Sequence, residues 1–348
     1  MLKNLMNNFY FGKAGKADLT VEDMPTTRGQ LFKETLRVRF SALIRLNLMY
    51  LVVWLPTIIL LALTAMGAMN VINQMDLGDG TSTLTRYVED AQLQAQAENA
   101  SEAVREAAGM DPGQVLNAEQ VLDSLYSLLF SALLWLFPCV AITGPATAGV
   151  AYVTRNWARD QHAFIWSDLK DAMKENWKQA LPVSVITGAL PLVVFVAWRF
   201  YGAQAATSPF FVLPQVLVLM IGIIWMLTVT YLYPLMVTYQ LRFRELLRNG
   251  LVLAVARLPM SVGIRLLHCV PVLLGAAVIY FLSPQWGSLG LAFYYIIIGY
   301  TLSRFVTASY TNGVFEKYIN PRIEGAPVNQ GLYVDTEEDE ADDTEEET

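Results

Sequence analysis

The chain has 348 residues, 54% of them hydrophobic and only 16% charged, with a mean hydropathy of +0.38. A soluble domain carries roughly a quarter charged residues, and ten of the 31 acids here sit in one run, Asp335 to Glu347. What remains is too apolar for a water-exposed surface, which argues against a soluble enzyme, a nucleic-acid-binding protein or a disulfide scaffold, and the net charge of −7 becomes +3 once that acidic run is set aside.

Residues 1–30 read as a polar arm in which Phe9, Tyr10 and Phe11 suit the lipid headgroup level. Leu31 to Leu43 follows as an amphipathic stretch: Phe32, Leu36, Phe40 and Leu43 recur at helical steps, with Lys33, Arg37 and Arg39 on other faces. The first apolar run, 46–69, is uncharged and longer than a signal-peptide core, so it is expected to be an uncleaved span. Residues 70–123 form a polar insertion: Gly78-Asp79-Gly80 is a turn, Ser82 to Gly109 is helical in composition, and Asp111-Pro112-Gly113 breaks it. Five more apolar runs follow at 125–153, 180–198, 210–241, 258–282 and 289–305. Roughly 20 apolar residues cross a bilayer as a helix, and only a helix satisfies its own backbone there. The expected fold class is therefore all-α, a polytopic bundle of six transmembrane helices spanning 31–323. The tail from Glu324, 324–348, is acidic and expected to be disordered.

Lys and Arg set the expected orientation. Twenty-one lie in the N-terminal segment, the loops after spans 2 and 4 and the C-terminal region; three lie in the loops after spans 1, 3 and 5. Both termini should be cytoplasmic, and the 70–123 insertion external. The stretches before spans 3 and 5 are amphipathic as well, through Trp166, Leu169, Met173, Trp177 and Leu181, and through Leu247, Leu251, Ala254 and Leu258. Span 3 begins Leu181-Pro182-Val183-Ser184 and span 5 begins Leu258-Pro259-Met260-Ser261. The expected unit is a surface helix plus a transmembrane hairpin, used three times in parallel.

Gly144-Pro145-Ala146-Thr147-Ala148-Gly149, followed by Tyr152, Arg155-Asn156-Trp157 and Phe164 to Trp177, resembles the YesL-like family of bacterial membrane proteins. Asn8 to Gly15 and Arg45 to Tyr50 look like its clostridial branch. The resemblance covers most of residues 1–320; the long insertion and the acidic tail depart from it. It implies an integral protein of the bacterial cytoplasmic membrane with no known biochemical activity. The founding member sits among genes for plant cell-wall polysaccharide breakdown and uptake, so the resemblance implies an accessory role near carbohydrate import. The implied partners are membrane lipid and an importer permease or a sensor protein.

Two candidate regions stand out within the spans. Gly144-Pro145 interrupts span 2: a broken helix exposes carbonyls that can line a solute path, whereas small residues around a proline also serve close helix packing. Arg265 and His268 lie near the start of span 5, where ionisable groups are costly, although an arginine there can also reach the headgroups. Arg155 follows span 2 in a Tyr152-x-x-Arg155 pattern shared with Tyr239-x-x-Arg242 and, with one more residue between, Tyr300-x-x-x-Arg304. No nucleophile elbow, phosphate loop or zinc spacing occurs. With two cysteines and two histidines no metal or cofactor is expected, and the expected function is non-catalytic. The alternative is a transporter or channel for a small solute such as an oligosaccharide.

Overall fold

The computed structural model describes residues 24–333 apart from 98, 99 and 112. The arm aromatics, the Asn8 to Gly15 motif and the acidic run after Tyr333 lie outside the described residues. Twelve α-helices are described: α1 Arg28–Val38, α2 Phe40–Asn73, α3 Thr83–Ala95, α4 Glu102–Ala108, α5 Ala118–Ala141, α6 Gly144–Trp157, α7 Ile165–Ala205, α8 Val212–Met236, α9 Phe243–Ala256, α10 Leu258–Phe281, α11 Pro284–Tyr294 and α12 Tyr300–Tyr318. A π turn, Tyr295–Gly299, joins α11 to α12. Six segments are long and apolar enough to cross a membrane: Phe40–Asn73, Ala118–Ala141, Ile165–Ala205, Pro209–Met236, Leu258–Phe281 and Gln285–Arg322. The fold class is all-α, as composition and hydropathy imply.

Helix boundaries differ from the expected runs where local chemistry intervenes. The amphipathic stretch before span 1 starts earlier, because Thr27 and Gln30 form a capping box, and stops at Val38; Arg39 is the corner into α2. The apolar run 125–153 is two helices rather than one, with the corner at Ile142 and Thr143. The stretch before span 3 is not a separate surface helix: α7 runs for 41 residues from Ile165 into the span. The last span does not end near Phe305, because the helix continues to Tyr318 through Thr307, Thr311, Asn312 and Glu316, all buried in protein. Residues 324–333, expected to open a disordered tail, fold back on the bundle. Asn329 N–H donates to Glu316, and Tyr333 N–H to the Pro25 carbonyl at 2.9 Å. That decade holds one acid, Glu324, together with Pro327, Leu332 and Tyr333, so it has apolar surface to bury where the run beyond it has little.

The spans form a circuit: α2 beside α5, α5 beside α7, α7 beside α8, α8 beside α10, α10 beside α11, and the π turn and α12 back against α2. One end is packed and the other is open. At the packed end eleven consecutive residues, Leu227 to Val237, are buried, and so are eleven of the fourteen residues of α6. Helix α6 is the axis of this end, giving Ala148 and Ala151 to one hydrophobic cluster and Ala146, Val150, Val153 and Trp157 to the other. At the open end α8 buries nothing between Val212 and Met226, and α10 buries only Ser261 along its length. Apolar side chains left uncovered on helices of this length suit hydrocarbon rather than water.

The sequence likeness between spans 3 and 5 has a structural counterpart. Ser184 and Ser261 are both buried and both donate to a carbonyl earlier in their own helix region. Ser41, the corresponding residue before span 1, is exposed, and the three surface stretches meet their spans differently. Threefold repetition of one unit is not established by this arrangement. The 70–123 insertion folds as the α3–α4 hairpin on the ends of α2 and α5, fastened by Asp76 N–H to the Leu116 carbonyl and Leu116 N–H to the Gln74 carbonyl, each 2.8 Å. In its turn, hydrogen bonds from Thr81 and then Arg86 hold the Asp79 carboxyl down to about 2.

Candidate functional site

Three regions contain the residues that the sequence singled out. The first is the break between α5 and α6. Gly144 and Pro145 are the first residues of α6, where a proline costs no helical hydrogen bond. The freed carbonyls are already occupied. Val140 accepts from Thr143 N–H at 3.0 Å and from Thr143 Oγ1 at 2.8 Å, and Ala141 accepts from Ser184 Oγ at 2.6 Å. Gly144 is a contact glycine: a Cβ there would lie 2.5 Å from the Ala180 carbonyl oxygen and would also strike Ser184 Oγ. At Gly149 a Cβ would lie 2.7 Å from the Leu169 carbonyl oxygen. The arrangement joins α6 to α7 and turns neither of these carbonyls toward a cavity.

The second region is the polar layer of the packed end. Arg155 donates through Nη2 and Nε to Asn156 Oδ1 (2.7 and 3.1 Å) and through Nη1 to the Val237 carbonyl, and it covers the Tyr152 ring at 4.6 Å. Arg159 Nε donates to Asn312 Oδ1 at 2.7 Å, and Arg28 pairs with Glu316. Burial, with the Arg159 cation nearby, pulls the Arg155 guanidinium down to about 10, and burial, with the Arg28 cation nearby, lowers Arg159 as well. Arg155 still carries its charge at neutral pH. Each of its three nitrogens donates to a protein acceptor, so it ties α6 to the end of α8.

The third region is a cavity of about 190 Å³ where the packed end gives way to the open end. It is lined by Tyr50 and Trp54 of α2, Thr230 of α8, Arg265 and His268 of α10, and Tyr295, Tyr300, Ser303, Arg304 and Thr307 of the last span. Two arginines and a histidine face it, with no carboxylate among the lining residues. Arg265 Nη2 donates to the Met226 carbonyl at 2.5 Å, and His268 Nε2 lies 3.4 Å from Thr307 Oγ1. Trp54 stacks on Tyr300 with ring centroids 5.5 Å apart. The wall formed by the last span is shaped by the π turn, a distortion that often accompanies function. Asn47 stabilises it. This fully buried residue donates through Nδ2 to the Tyr295 and Ile296 carbonyls (2.9 and 2.8 Å) and accepts from Thr301 N–H at 3.0 Å.

Arg265 and His268 are therefore brought together, while Gly144, Pro145 and Arg155 belong to other parts of the packed end. Sequence reasoning did not single out Arg304 as a site residue, reading it only in the Tyr300-x-x-x-Arg304 pattern at the end of the last span and in the loop charges, and it missed Asn47. One signal for Asn47 was available: it is the only amide at the head of the otherwise apolar run 46–69. Among the described residues no group of three His, Cys, Asp or Glu is placed to hold a metal ion.

Residues 125–198 match the family described as "Protein of unknown function, DUF624". An uncharacterized protein, YesV, of Bacillus subtilis (strain 168) is 26% identical over 126 residues, 36% of this chain and 59% of that protein. Both matches fit a YesL-like DUF624 family. The chain spans about three fifths of the length of the curated relative it matches, and no solved structure matches it. No catalytic family is indicated by these matches. The DUF624 segment covers most of α5, all of α6 and most of α7, hence the break, both contact glycines and Arg155. Asn47, Arg265, His268 and Arg304 lie outside it, on the helices that enclose the cavity.

Proposed function

We propose that this DUF624-family protein is a non-catalytic accessory or regulatory component of the bacterial cytoplasmic membrane that binds a ligand among its spans. The supporting observation is a cavity at the junction of a loose half and a tight half. Beyond Thr230 the chain is buried without interruption to Val237, so a ligand has a place to lodge and α8 offers it no continuing path toward the packed end. Occupancy of such a site reports on the ligand's presence, which is what an accessory subunit needs. The link to carbohydrate import belongs to this reading, with an importer permease or a sensor protein as the partner.

Affinity purification in mild detergent, followed by mass spectrometry, tests it. A stoichiometric permease or sensor subunit is expected; recovery of the protein alone would remove the accessory role. A second reading, a carrier for a small solute, is favoured by one observation: the α8–α10 seam beside the cavity is the thinnest in the circuit. Protein-dependent uptake into liposomes would move the assignment there.

The packed end carries the basic helices and faces the cytoplasm in this reading. Reporter fusions after Tyr333 and within the 77–81 turn are expected to report opposite sides, the first cytoplasmic. The same side for both would refute the topology.

A further inference from the structure

We propose that the cavity between α2, α8, α10 and the last span is a binding site for an oxyanion, a phosphate or carboxylate group. This rests on the reading of the protein as a ligand-binding component. Four other arginines of the packed end have protein partners: Arg155 with the Val237 carbonyl and Asn156, Arg159 with Asn312, Arg28 with Glu316, and Arg257 with the Tyr318 hydroxyl at 2.9 Å. Arg257 also leaves a buried Nε without a partner, but it lies away from the cavity, whereas Arg265 and Arg304 both line it. Arg265 spends one nitrogen on a carbonyl and leaves its buried Nε without a partner. Arg304 makes no hydrogen bond among the described residues and only covers the Tyr233 ring at 5.7 Å. A guanidinium carries five donors and no acceptor, so most of this capacity is open.

The neighbouring unmet atoms have the same polarity. Trp54 Nε1 and Thr230 Oγ1 are buried, line the same cavity and have no partner. An indole N–H only donates, and a hydroxyl can donate. Buried donors left unpaired are costly, and two unneutralised guanidiniums side by side in a membrane segment repel each other. The ligand chemistry that matches this set of donors is a multivalent acceptor bearing negative charge, held by forked arginine contacts. Lining carboxylates, which would compete for the arginines and repel such a group, are absent.

The volume sets the scale of the ligand. At about 30 Å³ per water molecule, 190 Å³ holds about six waters. That accommodates a phosphate or carboxylate with its first atoms, and it is too small for a whole oligosaccharide. The rest of the ligand extends toward the open end, between spans that bury nothing there. Two sources offer this chemistry, the headgroup of an anionic lipid and a soluble anion.

The test uses the full chain purified in a non-ionic detergent, with thermal unfolding measured against increasing probe. The probes are inorganic phosphate, acetate, short-chain phosphatidylglycerol, short-chain phosphatidylcholine as the zwitterionic control, and sodium chloride at matched ionic strength. The proposal expects a saturable rise in Tm with at least one anionic probe and none with phosphatidylcholine or chloride. Arg265→Gln and Arg304→Gln are each expected to weaken the apparent affinity roughly tenfold or more. Arg304→Lys, which keeps the charge, is expected to restore part of it, and Arg244→Gln at the surface to leave it unchanged. A response to phosphatidylglycerol alone identifies a lipid headgroup; one to phosphate or acetate identifies a soluble ligand. Absence of saturable stabilisation by every anionic probe, or equal stabilisation of both cavity variants and wild type, would overturn the proposal. If a glutamine variant is not monodisperse on size exclusion, Thr230→Val replaces it, with the same affinity loss expected. Co-purification of a partner is an independent readout, so an anion site can fail while the accessory reading stands.

Discussion

Replacing Asn47 by leucine is expected to destabilise the protein by about 3 kcal/mol or more and to lower its Tm in detergent by several degrees. The side chain is fully buried and serves three backbone groups of the opposite span: the Tyr295 and Ile296 carbonyls and the Thr301 N–H. A π turn departs from the regular hydrogen-bond ladder, and an amide is suited to such a place because it both donates twice and accepts. Leucine removes all three bonds. Each backbone group left unpaired away from water costs about 1–3 kcal/mol, less where a neighbour or lipid-phase relaxation substitutes. Because the π turn forms one wall of the cavity, the variant is also expected to lose anion-dependent stabilisation. Leu48→Ala is the control: Leu48 is half exposed on the outer face of the same helix and should change Tm little. Asn47→Leu with an unaltered melting curve would show that the π turn needs no support from α2.

Gly144→Val carries the second large effect, an expected loss of about 2–3 kcal/mol or failure to purify as a monodisperse species. Helix α6 approaches α7 so closely that the first side-chain carbon at Gly144 would lie 2.5 Å from the Ala180 carbonyl oxygen, which is backbone and cannot rotate away. The same carbon would displace Ser184 Oγ from the Ala141 carbonyl, leaving an acceptor unmet at the corner. Overpacking of a well-filled core typically costs about 1–3 kcal/mol. Gly263→Ala provides the contrast. Nothing lies within 4 Å of a Cβ at Gly263, so that substitution should be neutral or stabilising by up to about 1 kcal/mol, the helix-propensity gain. The pair also separates two ideas about Gly144-Pro145. If the break were a moving part of a solute path, Gly144→Ala would alter uptake at unchanged stability; loss of stability first marks it as a packing joint.

The relation between sequence and structure is clearest at the break and at the last span. An apolar run of 29 residues, 125–153, looks like one long span because hydropathy averages over Ile142 and Thr143. The corner depends on whether another element can take the freed carbonyl, and Ser184, some forty residues later, does so. The last span looks as if it ends near Phe305 because Arg304, Thr307, Thr311, Asn312 and Glu316 are polar. They remain helical because Arg28, Arg159, His268 and Asn329 meet several of them inside the protein. In the cavity, Arg265 and His268 were legible as charge in an apolar run. Arg304, 39 residues after Arg265, became their neighbour only when α10 and α12 met.

The sequence by itself determined the solvent class, the all-α fold, six spanning segments and the basic bias of alternate loops. Those follow from local quantities, because hydrocarbon rejects charge residue by residue and a spanning backbone must be helical. Tertiary structure alone decided which polar groups are satisfied. It placed α6 on the axis, assigned Arg155 to a carbonyl, set Asn47 beneath a π turn, and left Arg265 and Arg304 facing a cavity without a carboxylate. Hydrogen-bond satisfaction is a property of what arrives from elsewhere in the chain, and no window along the sequence contains it.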